Sequence, residues 1–279
     1  MECIFTSNRL VKIMTKTPIT WYGGKQQMLR YILPIIPEHK IYVEPFFGGG
    51  AVFFSKPPAK CEIINDLNKE AMNFYYVAKV EHQALYKHVS TTLHSRSNYE
   101  DAKVIYGNPH LFDEVERATA FYTLANQSFS ANFSTWGYDR TGTTTLKVKN
   151  KREAFNDAIA QRLGSATIEC DNALKVIERY DTVGTFHYVD PPYFNSDCGH
   201  YGGYTSRDFE ELLQLLEKVQ GKFLLSSYPS DLLASYAKAN AWEQQAYTKA
   251  VAVHAGAKKM KQEVLTSNYP ICEVLAGIK

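Results

Sequence analysis

The chain has 279 residues, of which 45% are hydrophobic and 22% are charged. This composition is typical of a globular protein and disfavours a disordered or fibrous chain. At a loose average of ~150 residues per domain, the length favours one large domain or a core with a substantial insertion. Because the chain has 31 basic and 29 acidic residues, the net charge is only +2. This value excludes a histone-like polycation but permits local basic strips.

Cysteine usage and hydropathy indicate the compartment. The five cysteines are scattered without a C-x-x-C pair, so the sequence predicts neither a disulfide framework nor a zinc cage. Cys198 and His200 lie close together but lack further ligands, and we expect no bound metal. No apolar run approaches the roughly 20 residues of a membrane span, and the N-terminus lacks the order of a signal peptide. We expect a soluble cytoplasmic protein with no membrane partner.

Short apolar runs bounded by turn-forming residues predict buried strands. Helical spacing separates several of them, as after Thr205 and Ser206, either of which can cap a helix. Strands that alternate with helices indicate the α/β class with a mainly parallel sheet. Two later runs, at 250–254 and 262–269, predict an antiparallel hairpin near the C-terminus. The five earlier runs are at 41–43, 61–64, 167–169, 186–189 and 223–225.

The interval 71–164 breaks this alternation, because it is too long for a simple crossover between strands. It begins with helical material, continues through a Gly- and Thr-rich stretch at 136–149 that resembles a β-hairpin, and ends with a helix from Arg152. We therefore predict an inserted lobe over 71–164 and a discontinuous second domain made of 10–70 and 165–279.

A basic cluster lies within the predicted lobe, with five cations against one acid between Tyr138 and Arg152. A solvated surface is the ordinary interpretation of such a cluster. A hairpin with cations and polar tips would also suit a nucleic-acid groove, with the cations on phosphates. Charge alone does not decide between the two. The cations are Arg140, Lys147, Lys149, Lys151 and Arg152.

Asp190, Pro191, Pro192 and Tyr193 directly follow the apolar run at 186–189. Two prolines end a strand abruptly, since neither supplies an N–H and each restricts the residue before it to extended backbone. The result is a rigid turn at the carboxyl end of a strand, where open α/β sheets bind ligands. Its carboxylate, carbonyls and ring suit a flat substrate with an exocyclic amine. An Asp-capped turn with a core tyrosine is the structural alternative.

A second pattern joins a predicted strand, which ends in Glu44, to the glycine-rich stretch 45–50 and a predicted helix start. Glycines let a backbone approach a ligand closely, although the spacing is neither that of dinucleotide binders nor that of a P-loop. Asp66 ends the next strand and is placed to accept hydrogen bonds from two ribose hydroxyls. Capping of the following helix is the alternative for Asp66. A nucleoside-containing cofactor without a pyrophosphate fits best.

Four segments in this order resemble the Dam-type DNA adenine-N6 methyltransferases, in the arrangement of their alpha group. They are W-Y-G-G-K at 21–25, E-P-F-F-G-G-G at 44–50, N-D at 65–66 and D-P-P-Y at 190–193. The resemblance covers residues 18–271 and implies a Rossmann-like methyltransferase with a mostly helical DNA-recognition lobe. It implies S-adenosylmethionine (SAM) as methyl donor and an adenine in double-stranded DNA as acceptor. A cognate restriction endonuclease in the same host is one partner that suits this activity, and phage self-protection and regulation are the alternative roles.

The resemblance also implies roles for single residues. Asp190 and the Pro191 carbonyl would accept the hydrogens of the adenine amine, and Tyr193 would stack on a flipped base. Lys25 would contact the methionine carboxylate of SAM or an acid of the pocket. The expected catalytic residues are Asp190, Pro191, Pro192 and Tyr193. The expected cofactor-binding residues are Trp21, Lys25, Glu44, Phe46, Gly48, Gly50, Asp66, Asp171 and Asp190, and the expected DNA-binding residues are Asn126, Arg140, Lys147, Lys149, Lys151 and Arg152.

One stretch departs from the family pattern. Dam-type proteins commonly have an Asn-Arg pair in the inserted lobe, whereas here Asn126 is followed by Gln127. The target sequence therefore does not follow from the resemblance. Other acceptors that present an NH2 group are cytosine N4, an RNA adenine and a protein glutamine amide. A DNA-binding protein that has kept the fold without catalysis is an alternative of a different class.

Overall fold

A computed structural model describes residues 15–129, 132–194, 203–252 and 258–276. Its seven strands form a single sheet. In chain order they are β1 (Ile41–Glu44), β2 (Cys61–Asn65), β3 (Ala166–Glu169), β4 (Thr185–Val189), β5 (Lys222–Ser227), β6 (Glu243–Ala252) and β7 (Lys258–Ser267). The spatial order is β3-β2-β1-β4-β5-β7-β6. All five strands that the apolar runs predicted are confirmed.

The central strand β1 pairs with β2 on one side and with β4 on the other. Because β1 to β5 are all parallel, their carboxyl ends meet at one edge of the sheet. A reversal of strand order of this kind opens a crevice beyond those ends. β7 runs antiparallel to β5 and pairs with β6, which confirms the C-terminal hairpin. The last residues of the predicted run 250–254 lie outside the described residues.

The helices fill the connections between strands. α10 begins as predicted, because the Thr205 side chain caps it and forms a capping box with Asp208. α2 follows Gly50, as the helix start after the glycine turn predicted. The helices are α1 (Leu29–Ile32), α2 (Ala51–Ser55), α3 (Lys69–Val80), α4 (His82–Thr91), α5 (Arg96–Gly107), α6 (Glu114–Gln127), α7 (Thr143–Ala154), α8 (Asp157–Leu163), α9 (Ala173–Tyr180), α10 (Ser206–Leu216), α11 (Asp231–Ala239) and α12 (Ile271–Ala276).

Helices α3 to α8 lie between β2 and β3 in the chain, which agrees with a mostly helical insertion. The β-hairpin predicted at 136–149 is wrong, since α7 occupies the second half of that stretch. Asp139 explains the helix, because its carboxylate accepts hydrogen bonds from the backbone N–H groups of Thr141, Thr143 and Thr144. These bonds satisfy donors of the first turn that a helix leaves open. Gly- and Thr-rich composition therefore marked a capped helix start.

The inserted helices share a hydrophobic core with the sheet. Phe74 of α3, Phe121 of α6 and Phe155 next to α7 belong to the same cluster of buried side chains as Tyr42 and Phe47. Burial of each such ring stabilises the fold by ~1.5–3 kcal/mol. The inserted helices therefore pack directly against the sheet. The domain boundaries at 71 and 164 stay a prediction.

A buried ionic cluster also joins the insertion to the sheet. Glu62 of β2 accepts hydrogen bonds from Lys56, at 2.6 Å, and from Arg162 of α8. Arg162 further donates to the Phe53 carbonyl oxygen at 2.8 Å. All three charged side chains are buried, so removal of one would leave an uncompensated charge in the interior. The cluster holds α8 against β2.

Candidate active site

Each of four predicted site acids lies at the carboxyl end of a parallel strand. Glu44 ends β1, Asp66 follows β2, Asp171 lies two residues after β3 and Asp190 directly follows β4. Because these strands are neighbours in the sheet, their ends bring the four acids to one edge. The structure therefore assembles residues that are up to 146 positions apart in the chain, from Glu44 to Asp190.

Asp190 is held by Lys25 at the end of β4. The Lys25 Nζ atom lies 2.7 Å from Asp190 Oδ1, and the side chain of Asp190 is 18% exposed. The Tyr193 hydroxyl lies 3.3 Å from the same oxygen. Of the two expectations for Lys25, contact with an acid of the pocket is the one seen. The carboxylate is thus fixed from the protein side and reachable from solvent.

The charges of this pair depend on each other. Burial raises the pKa of Asp190, the nearby charge of Lys25 lowers it, and the net value is about 6. Burial lowers the pKa of Lys25, but the negative charges of Asp190 and Glu263 outweigh burial and raise it overall. At pH 7 Asp190 is therefore mostly ionised. An ionised carboxylate only accepts hydrogen bonds.

Glu263 of β7 is a site residue that the sequence reasoning missed. Its Oε1 atom accepts hydrogen bonds from the hydroxyls of Tyr193 at 3.0 Å and Ser226 at 2.9 Å, and it lies 3.4 Å from Lys25 Nζ. A signal was present in the predicted strand, because Glu263 lies two residues before Leu265 and therefore on the same face of the strand as this buried apolar side chain. An acid at a core-facing strand position needs partners.

The glycine turn after β1 is packed tightly by Trp21. Gly48 has a φ of +47° and Gly50 one of +64°, both in the left-handed region that favours glycine. A Cβ atom on Gly48 would lie 2.5 Å from Trp21 Nε1, so only glycine fits under the indole. The Tyr75 hydroxyl donates to the Gly48 carbonyl oxygen at 2.8 Å. The turn is therefore held from two separate parts of the chain.

Asp66 connects the end of β2 to that turn. Its Oδ2 atom accepts a hydrogen bond from the Gly48 N–H at 2.8 Å, and Oδ1 accepts one from the Asn68 N–H at 2.9 Å. Burial raises the pKa of Asp66. Asn68, not Asp66, is the capping residue of α3, so the capping alternative for Asp66 is wrong. Each carboxylate oxygen keeps a further lone pair for a ligand.

Glu44 and Asp171 differ in their surroundings. Glu44 is buried, accepts a hydrogen bond from the Tyr42 hydroxyl at 2.7 Å, and has a pKa that burial raises to about 8. Asp171 is partly exposed and pairs with Arg179 at 2.9 Å, and hydrogen bonds from Arg179 and the Asn172 N–H lower its pKa. The Asn65 side chain bonds the Asp171 backbone in both directions, at 2.9 and 3.0 Å. The carboxyl of Glu44 is therefore mostly neutral at pH 7.

Two classes of feature are missing from the portion of the chain that the structure describes. None of its helices is long and apolar enough to cross a membrane. It holds no group of three or more His, Cys, Asp or Glu side chains that could bind a metal ion. Cys198, His200 and most of the glycine-rich segment around them lie outside the described residues.

The chain matches known proteins along most of its length. The family model of D12 class N6 adenine-specific DNA methyltransferases matches residues 21–263, from Trp21 of the first motif to Glu263. The chain belongs to this family. The resemblance drawn from the four motifs is thereby confirmed. The protein is an adenine-N6 DNA methyltransferase, and the other acceptors and the non-catalytic alternative are set aside.

Curated relatives of this methyltransferase carry related names. The type II methyltransferase M1.LlaDCHI of Lactococcus lactis subsp. cremoris is 27% identical over 281 residues, which is 92% of this chain and 97% of that protein. A DNA adenine methylase of Vibrio cholerae is 27% identical and covers 72% of this chain and 75% of its own length. The DNA N-6-adenine-methyltransferase of Escherichia phage P1 is 29% identical over 62% of this chain and 23% of that protein.

In the methyltransferase, Asn126 is not placed to contact DNA. It is buried at the end of α6, where its Oδ1 atom accepts hydrogen bonds from the Thr20 N–H at 2.9 Å and the Thr20 hydroxyl at 3.1 Å. Its Nδ2 atom donates to the Pro18 carbonyl oxygen at 3.3 Å. These contacts contradict the predicted DNA contact. Asn126 instead fixes the segment that leads into Trp21.

Two of the predicted DNA-binding cations are likewise used inside the methyltransferase. Lys151 Nζ donates to the carbonyl oxygens of Thr17 at 2.8 Å and Ile19 at 3.0 Å, and burial lowers its pKa to about 8. Arg152 donates to the Thr92 carbonyl oxygen at 3.1 Å. Both contacts differ from the predicted role on phosphates. The remaining three, Arg140, Lys147 and Lys149, are exposed, and their contact with DNA stays a prediction.

We expect Lys151→Gln to destabilise the methyltransferase by ~1.5–3 kcal/mol, because its ammonium group donates to backbone carbonyls. Urea unfolding measures this free energy. The matched control is Lys149→Gln, whose side chain is 57% exposed. The control should change stability by less than about 0.5 kcal/mol and reduce the salt slope of DNA binding by about 1. A Lys151 variant that behaves like this control would contradict the internal role.

Proposed function

We propose that the carboxyl edge of the sheet binds SAM beside the glycine turn and a flipped adenine beside Asp190, and that the methyl group moves directly to N6. The placement of Asp190 carries this proposal. Its partly exposed carboxylate lies at the end of β4, 2.7 Å from Lys25, and β4 is the neighbour of the strand that leads into the glycine turn.

The residues of the edge fit SAM chemically. Asp66 has lone pairs for ribose hydroxyls, and its hydrogen bond to the Gly48 N–H holds the glycine turn beside it. The carboxylate of Asp190 favours a positively charged sulfonium nearby. When bound, SAM supplies an activated methyl group on that positively charged sulfur. The proposed pocket comprises Trp21, Lys25, Glu44, Phe46, Gly48, Gly50, Asp66, Asp171 and Asp190.

Asp190 and Pro191 prepare the adenine amine for methylation. This amine is a poor nucleophile, because its lone pair is delocalised into the ring. The ionised Asp190 carboxylate accepts one N–H and the Pro191 carbonyl accepts the other, which favours a pyramidal nitrogen with its lone pair directed at the methyl carbon. The new C–N bond forms as the C–S bond breaks, and N6 releases a proton to solvent. Alignment of the reacting atoms provides the acceleration, without a covalent enzyme intermediate.

Rings beside the D-P-P-Y turn receive the base. Adenine N6 lies within the stacked duplex, so the base leaves the stack at a cost of a few kcal/mol. Tyr193 and Tyr228 lie with ring centroids 4.4 Å apart, and base–aromatic stacking contributes ~1–3 kcal/mol. We assign stacking on the flipped base to Tyr193. A shallow opening at this position is lined by Pro192, Tyr193, Phe194, Phe209, Ser227 and Tyr228.

The biological setting follows from the same activity. Arg140, Lys147 and Lys149 are exposed on or next to α7 and bind the phosphates of the duplex. A relative is named a type II methyltransferase, which supports a cognate restriction endonuclease as the partner of this chain. Methylation of the host's DNA would place the protein in the cytoplasm.

Titration calorimetry of SAM tests the cofactor half of the proposal. We expect Asp66→Asn to weaken SAM binding roughly tenfold or more, because the amide replaces one acceptor by a donor. The matched control is Asp101→Asn, an exposed residue of α5, which should bind SAM as the wild type does. Unchanged affinity in the Asp66 variant, with an unchanged melting temperature, would refute the ribose assignment.

A further inference from the structure

Arg96, the first residue of α5, extends its guanidinium group over two aromatic rings of the inserted region. Its Cζ atom lies 4.6 Å from the ring centroid of Trp136 and 5.6 Å from that of Tyr138. The two rings stack on each other at 5.6 Å with an interplanar angle of 18°. Arg96 is exposed, and Tyr138 is 65% exposed. We call Trp136 and Tyr138 the aromatic platform.

The aromatic platform is fixed from behind by His94. The His94 ring packs on Trp136 at 4.8 Å, and Nε2–H donates to the Gly137 carbonyl oxygen at 2.9 Å while Nδ1 accepts from the Thr145 hydroxyl at 2.8 Å. The Gly137 N–H donates to the Gln127 carbonyl oxygen at 2.7 Å. A Cβ atom on Gly137 would lie 3.1 Å from that carbonyl oxygen, so the two backbones meet closely. These contacts hold the aromatic platform in place.

The guanidinium of Arg96 has no acidic partner among residues 15–129, 132–194, 203–252 and 258–276. Asp139, the acid closest in sequence to the platform, is used elsewhere, since hydrogen bonds from Thr141 and Thr144 hold its carboxylate at the start of α7. The five N–H donors of an arginine form a planar fork that matches paired acceptors. Arg96 therefore presents a fork that lies against two rings and is open to a ligand.

The loop at 132–142, which carries the aromatic platform, contacts residues of the proposed active site. Phe133 of this loop packs edge-on against Trp21, with ring centroids 6.3 Å apart. Trp21 in turn covers the glycine turn at Gly48. At the end of α6, the helix before this loop, Asn126 bonds to Thr20. A duplex that delivers an adenine to Asp190 is therefore expected to lie against this loop.

We propose that Arg96 reads a guanine of the target site through its O6 and N7 atoms in the major groove. A guanine presents these two acceptors side by side, and a bidentate arginine is the commonest specific contact to it. A fork already held by two rings loses less freedom on binding than a mobile one. Phosphates need no fixed plane and can be held by exposed lysines such as Lys147 and Lys149. This inference rests on the proposed function, which brings the duplex to this face.

Methylome sequencing tests the proposal. The wild type, Arg96→Gln, Arg96→Lys and the control Lys103→Gln are expressed in a host without adenine methylation. Lys103 lies on the same helix and pairs with Glu100 at 3.2 Å. We expect a wild-type motif with a guanine, at which both Arg96 variants lose discrimination about tenfold to hundredfold. The control should keep the motif.

Single-turnover methylation of duplexes with 7-deazaguanine, which lacks the N7 acceptor, locates the contact. At one motif guanine this replacement should slow the wild type but not further slow Arg96→Gln, because the two changes remove the same interaction. Three results would each overturn the proposal. The motif of Arg96→Gln could be the same as that of the wild type, or the wild-type motif could contain no guanine. The third result is a loss of activity in Arg96→Gln that is uniform over all sequences and is restored in Arg96→Lys. Failure of the proposed function would look different, as the wild type would leave no methylated adenine.

Discussion

Asp190→Ala is expected to reduce the single-turnover rate of methyl transfer by at least ~100-fold. In the proposed mechanism the variant loses the anionic acceptor for the adenine amine, while the exposed cations that we propose to bind DNA are unchanged. Lys25 keeps Glu263 as a neighbour at 3.4 Å, so the buried ammonium is not left without a negative charge and the fold should persist. Rapid-quench measurement of labelled methyl groups on duplex DNA gives the rate.

One further measurement and a control variant separate catalysis from binding at Asp190. Affinity for duplex DNA, measured by fluorescence anisotropy, should stay close to that of the wild type, because the flipped base is the one part of the duplex that Asp190 is proposed to contact. Asp101→Ala on α5 is the control for removal of a carboxylate at an exposed position. A variant at Asp190 that turns over at the wild-type rate would remove the central assignment. A variant that loses DNA binding and turnover together would assign Asp190 a structural role instead.

The strands and the acids at their ends could be predicted because both are local in the sequence. An apolar run with turn residues on each side identifies β1 or β4 without knowledge of its neighbours. Once such strands are parallel, the residue after each one falls at the same edge of the sheet. Asp66 and Asp190 were therefore found from their positions after β2 and β4, although their partners were not.

The roles of Glu263 and Lys151 could not be predicted, because both depend on contacts across the fold. Glu263 reaches Tyr193 only because β7 pairs with β5, in a register that sets Val264 opposite Ser227. Lys151 belongs to a run of cations that is typical of a surface, and the structure turns this one member toward the backbone of Thr17. Local composition predicts neither the order of the strands in the sheet nor which side of a helix packs against the rest of the protein.

Lys25→Met and Glu263→Gln are expected to shift the pH dependence of methyl transfer in opposite directions. In the wild type the rate should fall about tenfold per pH unit below pH 6, as Asp190 becomes protonated and stops accepting hydrogen bonds. The charge of Lys25 lowers the pKa of Asp190, and that of Glu263 raises it. Loss of the lysine therefore moves the acid limb to higher pH, and loss of the Glu263 charge moves it to lower pH.

Lys25→Met is expected to lower the rate of methyl transfer at pH 7 more than Glu263→Gln does. Lys25 lies 2.7 Å from Asp190, so Lys25→Met should leave Asp190 largely protonated at pH 7 and lower the rate there roughly tenfold or more. Glu263→Gln keeps an amide oxygen for the hydroxyls of Tyr193 and Ser226 and should retain most activity at pH 7. Single-turnover rates from pH 5 to 9 with saturating SAM measure both limbs. Shifts in the same direction would show that electrostatic control of Asp190 is not what these two residues provide.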